Sequence, residues 1–295
     1  MFKVTIKKVI LVLGLLGIMA VGCVVAWRRP SSRIINVSSM AQVRDIIFSD
    51  ALNRGSVTDV LILFDIDNTL IEPTTDIASD QWFDACVRYC QAKGLAFQEA
   101  IEHVRPLWIR LLYRVIMQPV EAQGAQLVRE LISARVPVIA VTARQLSLAA
   151  LTMRQLHGVG IMFDSSVLAG QTIALNDGSS RMRFEHGILF CWGNDKGVAV
   201  SQLLDRLGFN PRMIVFIDDK ESHLRSAAKI AKQRGCKFIG LRYGYLDEKV
   251  KNFELDDESI ALLDRQMQPA PVRGLVHSLI PTTAPAYQYF KPRQS

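Results

Sequence analysis

An apolar run that ends in two carboxylates is the feature that most constrains this chain of 295 residues. Residues 57–64 are largely apolar and rich in β-branched or aromatic side chains, which is typical of a buried strand in a parallel sheet. Asp65 and Asp67 follow directly. Because burying an unpaired carboxylate is costly, two of them at the end of a core strand indicate a bound cation or a chemical role. A capping cluster, in which Asp67 or Asn68 begins a helix, is the structural alternative.

Polar side chains also follow two other apolar strands of the chain. One of these strands ends in the hydroxyl residue Thr142, and the other ends in the paired acids Asp218 and Asp219. Lys196 comes immediately before a helical stretch. In open α/β sheets, ligands bind at the carboxyl ends of the strands. We therefore expect these side chains to meet Asp65 at one edge of the sheet.

Taken together, the four stretches resemble the motifs of the haloacid dehalogenase-like superfamily, in the same order along the chain. The first stretch is similar to the superfamily motif DxDx(T/V), and the resemblance covers about residues 57 to 245. The matching stretches are Asp65-Ile-Asp-Asn-Thr69, Val138-Ile-Ala-Val-Thr-Ala-Arg144, the lysine of Asn194-Asp-Lys-Gly197, and Met213-Ile-Val-Phe-Ile-Asp-Asp-Lys220.

The resemblance implies a set of roles for these residues. In the superfamily, the first aspartate attacks phosphorus and forms an aspartyl-phosphate, which implies this role for Asp65. Asp67 would act as general acid and base, and Thr142 and Lys196 would bind the phosphoryl oxygens. The expected cofactor is Mg²⁺, and the resemblance implies four ligands for it: Asp65, Asp67 through its backbone carbonyl, Asp218 and Asp219.

The acid at Asp67 indicates the type of reaction. The superfamily's dehalogenases lack an acid at that position, because a halide leaving group needs no proton. Hydrolysis of a phosphate monoester is therefore the expected activity, on a phosphorylated substrate of unknown size. Two alternatives stay open: a membrane-tethered binding or effector protein that keeps the fold without turnover, and a phosphotransferase that uses the same residues.

Three neighbours of the motifs lie outside this set of assigned roles. Lys220 is a competing candidate for the role of Lys196, although its place after the paired acids equally favours a supporting ion pair. Arg144 either reaches the substrate or lies on the surface at the start of a helix. The sequence gives no reason to assign a role to His223.

Most of the net charge of +7 lies at the N-terminus. Residues 1–33 carry six basic side chains and no acid, so they account for six of the seven net positive charges. The rest of the chain is close to neutral, and a nearly neutral domain lacks the electrostatic footprint of a nucleic-acid-binding protein. We therefore expect no nucleic-acid partner.

The same N-terminal stretch predicts membrane association. Residues 9–27 contain no charge over nineteen positions and are flanked by basic residues. This pattern is typical of either a membrane-spanning anchor or a cleaved export signal. Ala20-Val-Gly-Cys23 is also similar to the processing box of bacterial lipoproteins, in which Cys23 would carry the lipid. We therefore predict a membrane-associated protein, held by a single N-terminal anchor or as an exported lipoprotein.

Strands that alternate with helices between residues 34 and 267 predict a Rossmann-like α/β fold, with a parallel sheet flanked by helices on both faces. A small helical insertion is expected within about residues 75–120. A β-hairpin is expected within about residues 165–192, because Asn176-Asp-Gly-Ser179 is a turn signal. The proline-rich residues 268–295 predict an extended or disordered tail.

Two finer predictions concern the edges of this domain. Ser31–Asn36 is predicted to be a linker, followed by a helix that Ser38 or Ser39 caps and that continues to about Asn53. Phe184–Cys191 is predicted to form one continuous strand at the end of the hairpin.

Overall fold

The computed structural model describes residues 31–53, 55–175 and 182–267. The predicted membrane segment, the proline-rich tail and the turn signal at residues 176–179 lie outside the described residues. Among the helices that are described, none combines the length and apolar content that crossing a bilayer requires.

The described strands form one large sheet and one small antiparallel pair. Across the large sheet the order is β1-β10-β9-β2-β5-β8-β7-β6, and the first six strands in this order are parallel. The antiparallel pair is β3 with β4. The strands are β1 (Ser32–Val37), β2 (Val60–Phe64), β3 (Ile71–Pro73), β4 (Met117–Pro119), β5 (Val138–Thr142), β6 (Ile173–Leu175), β7 (Met182–Glu185), β8 (Ile188–Phe190), β9 (Met213–Asp218) and β10 (Lys237–Tyr243).

Helices connect these strands, and most of them lie close to the predicted positions. They are α1 (Met40–Ile46), α2 (Asp80–Ala92), α3 (Phe97–Leu112), α4 (Ala122–Ser133), α5 (Ala149–Gly158), α6 (Lys196–Leu207), α7 (Glu221–Gln233), α8 (Asp247–Lys251) and α9 (Asp257–Met267). A π-helical turn, Ile47–Ala51, continues α1, whose predicted cap Ser39 accepts a hydrogen bond from the Gln42 backbone.

Helices cover both faces of the large sheet, as predicted. Successive side chains of a strand point to opposite faces, so β2 contributes to two separate apolar clusters. Ile62 packs in the cluster that contains residues of α1, α4 and α5. Leu61 and Leu63 pack in the cluster that contains residues of α6 and α7. The predicted α/β fold, with a parallel sheet between two helical layers, is therefore confirmed.

The helical insertion has its own apolar core. α2 and α3 pack together, and α9 from the C-terminal part of the described chain completes the cluster with Leu263. The buried indole of Trp82 on α2 donates a hydrogen bond to the Ser259 hydroxyl on α9, at 2.8 Å. The sequence analysis did not predict α9, which packs on the insertion from a later part of the chain.

The predicted linker is wrong. Ser32–Val37 forms the edge strand β1, which pairs in parallel with β10. Two consecutive apolar residues, Ile34 and Ile35, pack in the clusters on opposite faces of the sheet. Because the strand lies at an edge, Ser32, Arg33 and Asn36 are exposed and polar, so the sequence lacks the continuous apolar run of the other parallel strands.

The single strand predicted for Phe184–Cys191 is also wrong. His186 and Gly187 both have positive φ angles, of 53° and 75°, and form a two-residue turn between β7 and β8. A Cβ atom on Gly187 would lie 2.3 Å from the Phe163 carbonyl oxygen, so this position requires glycine. β6, β7 and β8 therefore form a three-stranded antiparallel unit where one hairpin was expected.

Candidate active site

The predicted residues meet at the carboxyl ends of the parallel strands. Phe64, the last residue of β2, pairs with Ile217 of β9 on one side and with Ala140 of β5 on the other. Asp65 therefore follows β2 at the level of Asp218, and its backbone N–H donates to the Ile217 carbonyl at 2.8 Å. The two strands that flank β2, which are β5 and β9, come from different parts of the chain. In α/β sheets, a ligand crevice forms next to such a strand.

Lys196 lies at the centre of this site and is only 1% exposed. Its Nζ atom is 2.7 Å from Asp65 Oδ1 and 2.8 Å from Asp218 Oδ2. The Lys196 side chain thus bridges the first and fourth motifs, as the predicted convergence requires. The charges of Asp218 and Asp65 outweigh the effect of burial and raise the pKa of Lys196, so its ammonium form is favoured.

The start of α6 fixes the position of Lys196. Asp195 caps this helix by accepting a hydrogen bond from the Val198 backbone at 2.9 Å. Gly197 faces α7 so closely that a Cβ atom would lie 2.8 Å from the Ala227 backbone nitrogen. The absence of a side chain at Gly197 therefore allows α6 to approach α7 and to direct Lys196 towards the strand ends.

The loops after β5 and β8 are joined by backbone hydrogen bonds. Cys191 N–H donates to the Thr142 carbonyl at 2.8 Å, and Gly193 N–H donates to the Ala143 carbonyl at 3.0 Å. The buried Thr142 hydroxyl oxygen accepts from the Arg144 backbone at 3.1 Å. These bonds connect the predicted hydroxyl position with the loop that leads to Lys196.

Two buried acids, Asp65 and Asp218, contact the ammonium group of Lys196, and a third acid, Asp219, follows Asp218 in the chain. Burial, and next the charge of Asp218, raise the pKa of Asp65 to about 7. Burial also raises the pKa of Asp219 well above its usual range, and the charge of Asp65 adds to this shift. For Asp218 the effect of burial is outweighed by Lys196 and then His223, so the pKa of that carboxyl is lowered.

A divalent cation fits this arrangement of acids. Asp219 Oδ1 is buried and has no hydrogen-bond partner among the described residues. An unpaired buried carboxylate oxygen beside two further carboxylates is a donor set that suits a hard cation such as Mg²⁺. The chemistry of the site therefore agrees with the predicted cofactor.

His223 is a member of the site that sequence analysis missed. Its Nδ1 atom lies 3.0 Å from both carboxylate oxygens of Asp218. Candidate ligand atoms of Asp65, Asp218 and His223 all lie within 4.8 Å of one another. The available signal was position, because His223 lies in the first turn of α7, immediately after the loop that follows β9.

The side chain of Asp67 is held by Arg144. Arg144 Nη2 donates to Asp67 Oδ1 at 2.7 Å, and Arg144 Nε donates to Asp67 Oδ2 at 2.8 Å. The buried guanidinium also donates to Thr152 and Gln155 of α5, which fix its orientation. Of the two positions that the sequence left open for Arg144, the surface position is wrong, because the side chain is 1% exposed.

Lys220 connects the insertion with the core and does not take the place of Lys196. Its Nζ atom lies 3.0 Å from Asp80 and 3.8 Å from Asp84, both on α2. The charge of Asp80 raises the pKa of Lys220, against a smaller opposing effect of burial. Lys220 therefore forms the supporting ion pair that was one of its two predicted roles, with partners that the sequence did not identify.

A pocket of about 230 Å³ lies between the strand ends and the insertion helices. Asp65, Asp67 and Lys196 line it from the core side. Phe83, Ile101 and Trp108 line it from α2 and α3. The insertion thus places apolar side chains, together with the charged Asp80, Asp84 and Arg105, opposite the strand ends.

Comparisons with known proteins give a family, relatives and similar folds. The family model described as "Protein of unknown function (DUF2608)" matches residues 36–268. A protein of Chlamydia trachomatis named "Putative outer membrane protein" is 23% identical, over 72% of this chain and 77% of that protein. A Chlamydia pneumoniae protein with the same description is 23% identical, over 72% of this chain and 78% of its own length.

Among solved structures, a haloacid dehalogenase-like family hydrolase from Streptococcus pneumoniae is similar at 17% identity and a TM-score of 0.40. The match covers 62% of this chain and 94% of that one. A likeness of this degree is not evidence of a shared activity.

Proposed function

The chain belongs to the family described as "Protein of unknown function (DUF2608)"; that description names no activity, and we propose that the protein is a Mg²⁺-dependent phosphatase that hydrolyses a phosphate monoester. The observation that carries this proposal is the ion bridge in which Lys196 Nζ contacts both Asp65 and Asp218 at the end of β2. A buried nucleophilic carboxylate beside a fixed ammonium group is an arrangement that can attack an anionic phosphate. The resemblance of four ordered sequence motifs to the haloacid dehalogenase-like superfamily supports the same reaction.

In the first half of the proposed reaction, the Asp65 carboxylate oxygen attacks the phosphorus atom of the ester. The bond between phosphorus and the alcohol oxygen breaks, and protonated Asp67 gives its proton to that oxygen. Lys196 and the Thr142 hydroxyl bind the other phosphoryl oxygens and offset the charge that develops on them. The products of this half are the free alcohol and an aspartyl-phosphate on Asp65.

In the second half, water replaces Asp65. The Asp67 carboxylate takes a proton from water, and the water oxygen attacks phosphorus. The bond between phosphorus and Asp65 breaks, which releases inorganic phosphate and restores both aspartates. Bound Mg²⁺ would be held by Asp65, Asp218, Asp219 and the Asp67 carbonyl, and would supply positive charge that reduces the repulsion between Asp65 and phosphate.

One observation favours the non-catalytic alternative. Both carboxylate oxygens of Asp67 accept hydrogen bonds from Arg144. This pairing occupies both oxygens that the first half of the reaction would use to pass a proton to the leaving group. A protein that binds phosphorylated ligands without turnover would be consistent with that pair, so the two functions must be separated by experiment.

We expect the full chain in detergent to release phosphate from 4-nitrophenyl phosphate with Mg²⁺, and to lose this activity with EDTA. Mg²⁺ should also stabilise the fold, by about 2.7 kcal/mol at a concentration one hundred times its Kd. Asp219→Asn should reduce this stabilisation, measured by thermal unfolding. The matched control is Asp59→Asn, because Asp59 is exposed in the turn before β2.

The outcomes distinguish the two functions. Equal phosphate release with and without EDTA would contradict the dependence on Mg²⁺. Stabilisation by Mg²⁺ with no phosphate release from any ester would instead favour the binding protein.

The protein is proposed to be attached to a membrane of the cell envelope. The uncharged residues 9–27 and the names of the chlamydial relatives support this location. We expect the full chain to be extracted from membranes by detergent and not by carbonate. Cys23→Ser distinguishes the modes of attachment, because it should abolish incorporation of labelled palmitate only if Cys23 carries a lipid. Recovery of the unmodified chain in the carbonate-soluble fraction would contradict this proposal.

A further inference from the structure

Within the described part of the chain, one basic side chain of the pocket forms no ion pair with the acids that line it. Three of its basic side chains form ion pairs with acids of the same pocket, and these are Lys196, Arg144 and Lys220. Arg105 also lines the pocket and is partly buried. Within the described ranges, Arg105 forms neither a hydrogen bond nor an ion pair. Its guanidinium therefore remains available to an anion that enters the pocket.

The surroundings of Arg105 are apolar and fixed in place. Ile101, Arg105 and Trp108 are spaced by four and three residues, so they lie on one side of α3, which lines the pocket. The Trp108 indole N–H donates to the Ala78 carbonyl at 2.9 Å, and its ring contacts Phe83 at 5.5 Å in an edge-on geometry. The acids that line the pocket from α2, Asp80 and Asp84, pair with Lys220 and not with Arg105.

The position of Arg105 separates it from the residues proposed to bind the transferred phosphate. Those residues follow the strands of the core, whereas Arg105 lies on an insertion helix. The apolar side chains of Ile101 and Trp108 flank Arg105 along the same side of α3. A ligand that fills the pocket would therefore have phosphate at one end, an apolar middle, and a group near Arg105.

The size of the pocket limits this ligand. A volume of about 230 Å³ is below the roughly 300–1,000 Å³ that is usual for sites of drug-sized ligands. A guanidinium in a partly desolvated pocket binds carboxylate or phosphate oxygens through two donors at once. The ligand is therefore small and carries an anionic group besides the phosphate that is transferred.

Building on the proposed phosphatase function, we propose that the substrate is a small phosphate monoester whose alcohol carries an apolar body and a second anionic group. Arg105 binds that second anion and is a specificity-determining residue. Phe83 and Trp108 pack against the apolar body.

Two esters of the same shape test this inference. They are 3-carboxybenzyl phosphate and 3-carbamoylbenzyl phosphate, which differ by one negative charge far from the reacting atoms. We expect the full-length protein to prefer the carboxylate ester in kcat/KM by about tenfold to a hundredfold, the usual effect of a hydrogen bond to a charged group. Arg105→Gln should remove this preference, mainly through KM, whereas Arg110→Gln on the exposed side of α3 should keep it.

Binding measurements separate this inference from the proposed hydrolysis. Calorimetric titration of the Asp65→Asn protein with the same two esters should give the same preference in Kd, lost when Arg105→Gln is added. If the parent hydrolyses neither ester but shows this preference in binding, the hydrolysis is wrong and the assignment of Arg105 stands. If the parent shows no preference, or if Arg105→Gln weakens both esters equally, the assignment is overturned, because Arg105 then binds the shared phosphate or has only a structural role.

Discussion

The Asp65→Asn variant is expected to release phosphate from an aryl ester at least about a thousandfold more slowly than the parent protein. Asparagine has nearly the shape of aspartate, but its amide oxygen is a poor nucleophile for phosphorus. The variant therefore removes the attacking group and leaves the rest of the pocket in place. Phosphate release in the presence of Mg²⁺, at matched protein concentration, measures the effect.

The fold should survive this substitution, so that the loss of activity can be interpreted. The Oδ1 atom of Asp65 accepts a hydrogen bond from the Ile66 backbone at 2.7 Å, and the oxygen of an asparagine can accept the same bond. Burial and Asp218 already raise the pKa of Asp65, which means that the fold disfavours its ionised form. Removing that charge should therefore leave the unfolding temperature without Mg²⁺ unchanged or higher.

The exposed Asp59 provides the matched control for this experiment. Asp59→Asn removes one carboxylate from the turn before β2 and should leave the rate of phosphate release unchanged. If Asp65→Asn were folded and as active as the parent, a different nucleophile would be required. The enzymatic interpretation of the strand-end acids would then be wrong.

The architecture and the meeting of Asp65, Lys196 and Asp218 could be predicted because both depend on local patterns. Apolar runs identify parallel strands, and parallel strands bring their carboxyl ends to one edge. Local signals also encode the bounds of α6, because Asp195 caps the helix and Gly208, with φ of 61°, ends it. Each of these features is encoded within a few consecutive residues.

The partners of the charged residues could not be predicted in the same way. Arg144 and Asp67 are 77 residues apart, and Lys220 and Asp80 are 140 residues apart. Which acid a lysine or arginine meets depends on how the insertion packs over the sheet, and no short pattern specifies that packing. The unpaired state of Arg105 is a property of the same packing, because it depends on where all the other charges of the pocket are placed.

Lys196→Met should be among the most destabilising substitutions at this site. The substitution keeps an unbranched side chain in the buried space but removes the ammonium group between Asp65 and Asp218, whose side chains are 8% and 0% exposed. Removing one partner of a buried ion pair leaves a buried charge uncompensated and typically costs about 3–5 kcal/mol. Chemical unfolding in the presence of EDTA measures this cost, because no added cation can then replace the lost charge.

A second variant shows whether charge is the cause. Lys196→Met combined with Asp65→Asn has one buried carboxylate fewer, so it should recover part of the free energy of unfolding that Lys196→Met loses. Lys229→Met, on the exposed side of α7, should change the free energy of unfolding by less than about 0.5 kcal/mol. If the double variant were no more stable than Lys196→Met alone, the loss would come from packing around the lysine stem. The ion bridge that supports the proposed reaction would then contribute little to holding the three loops together.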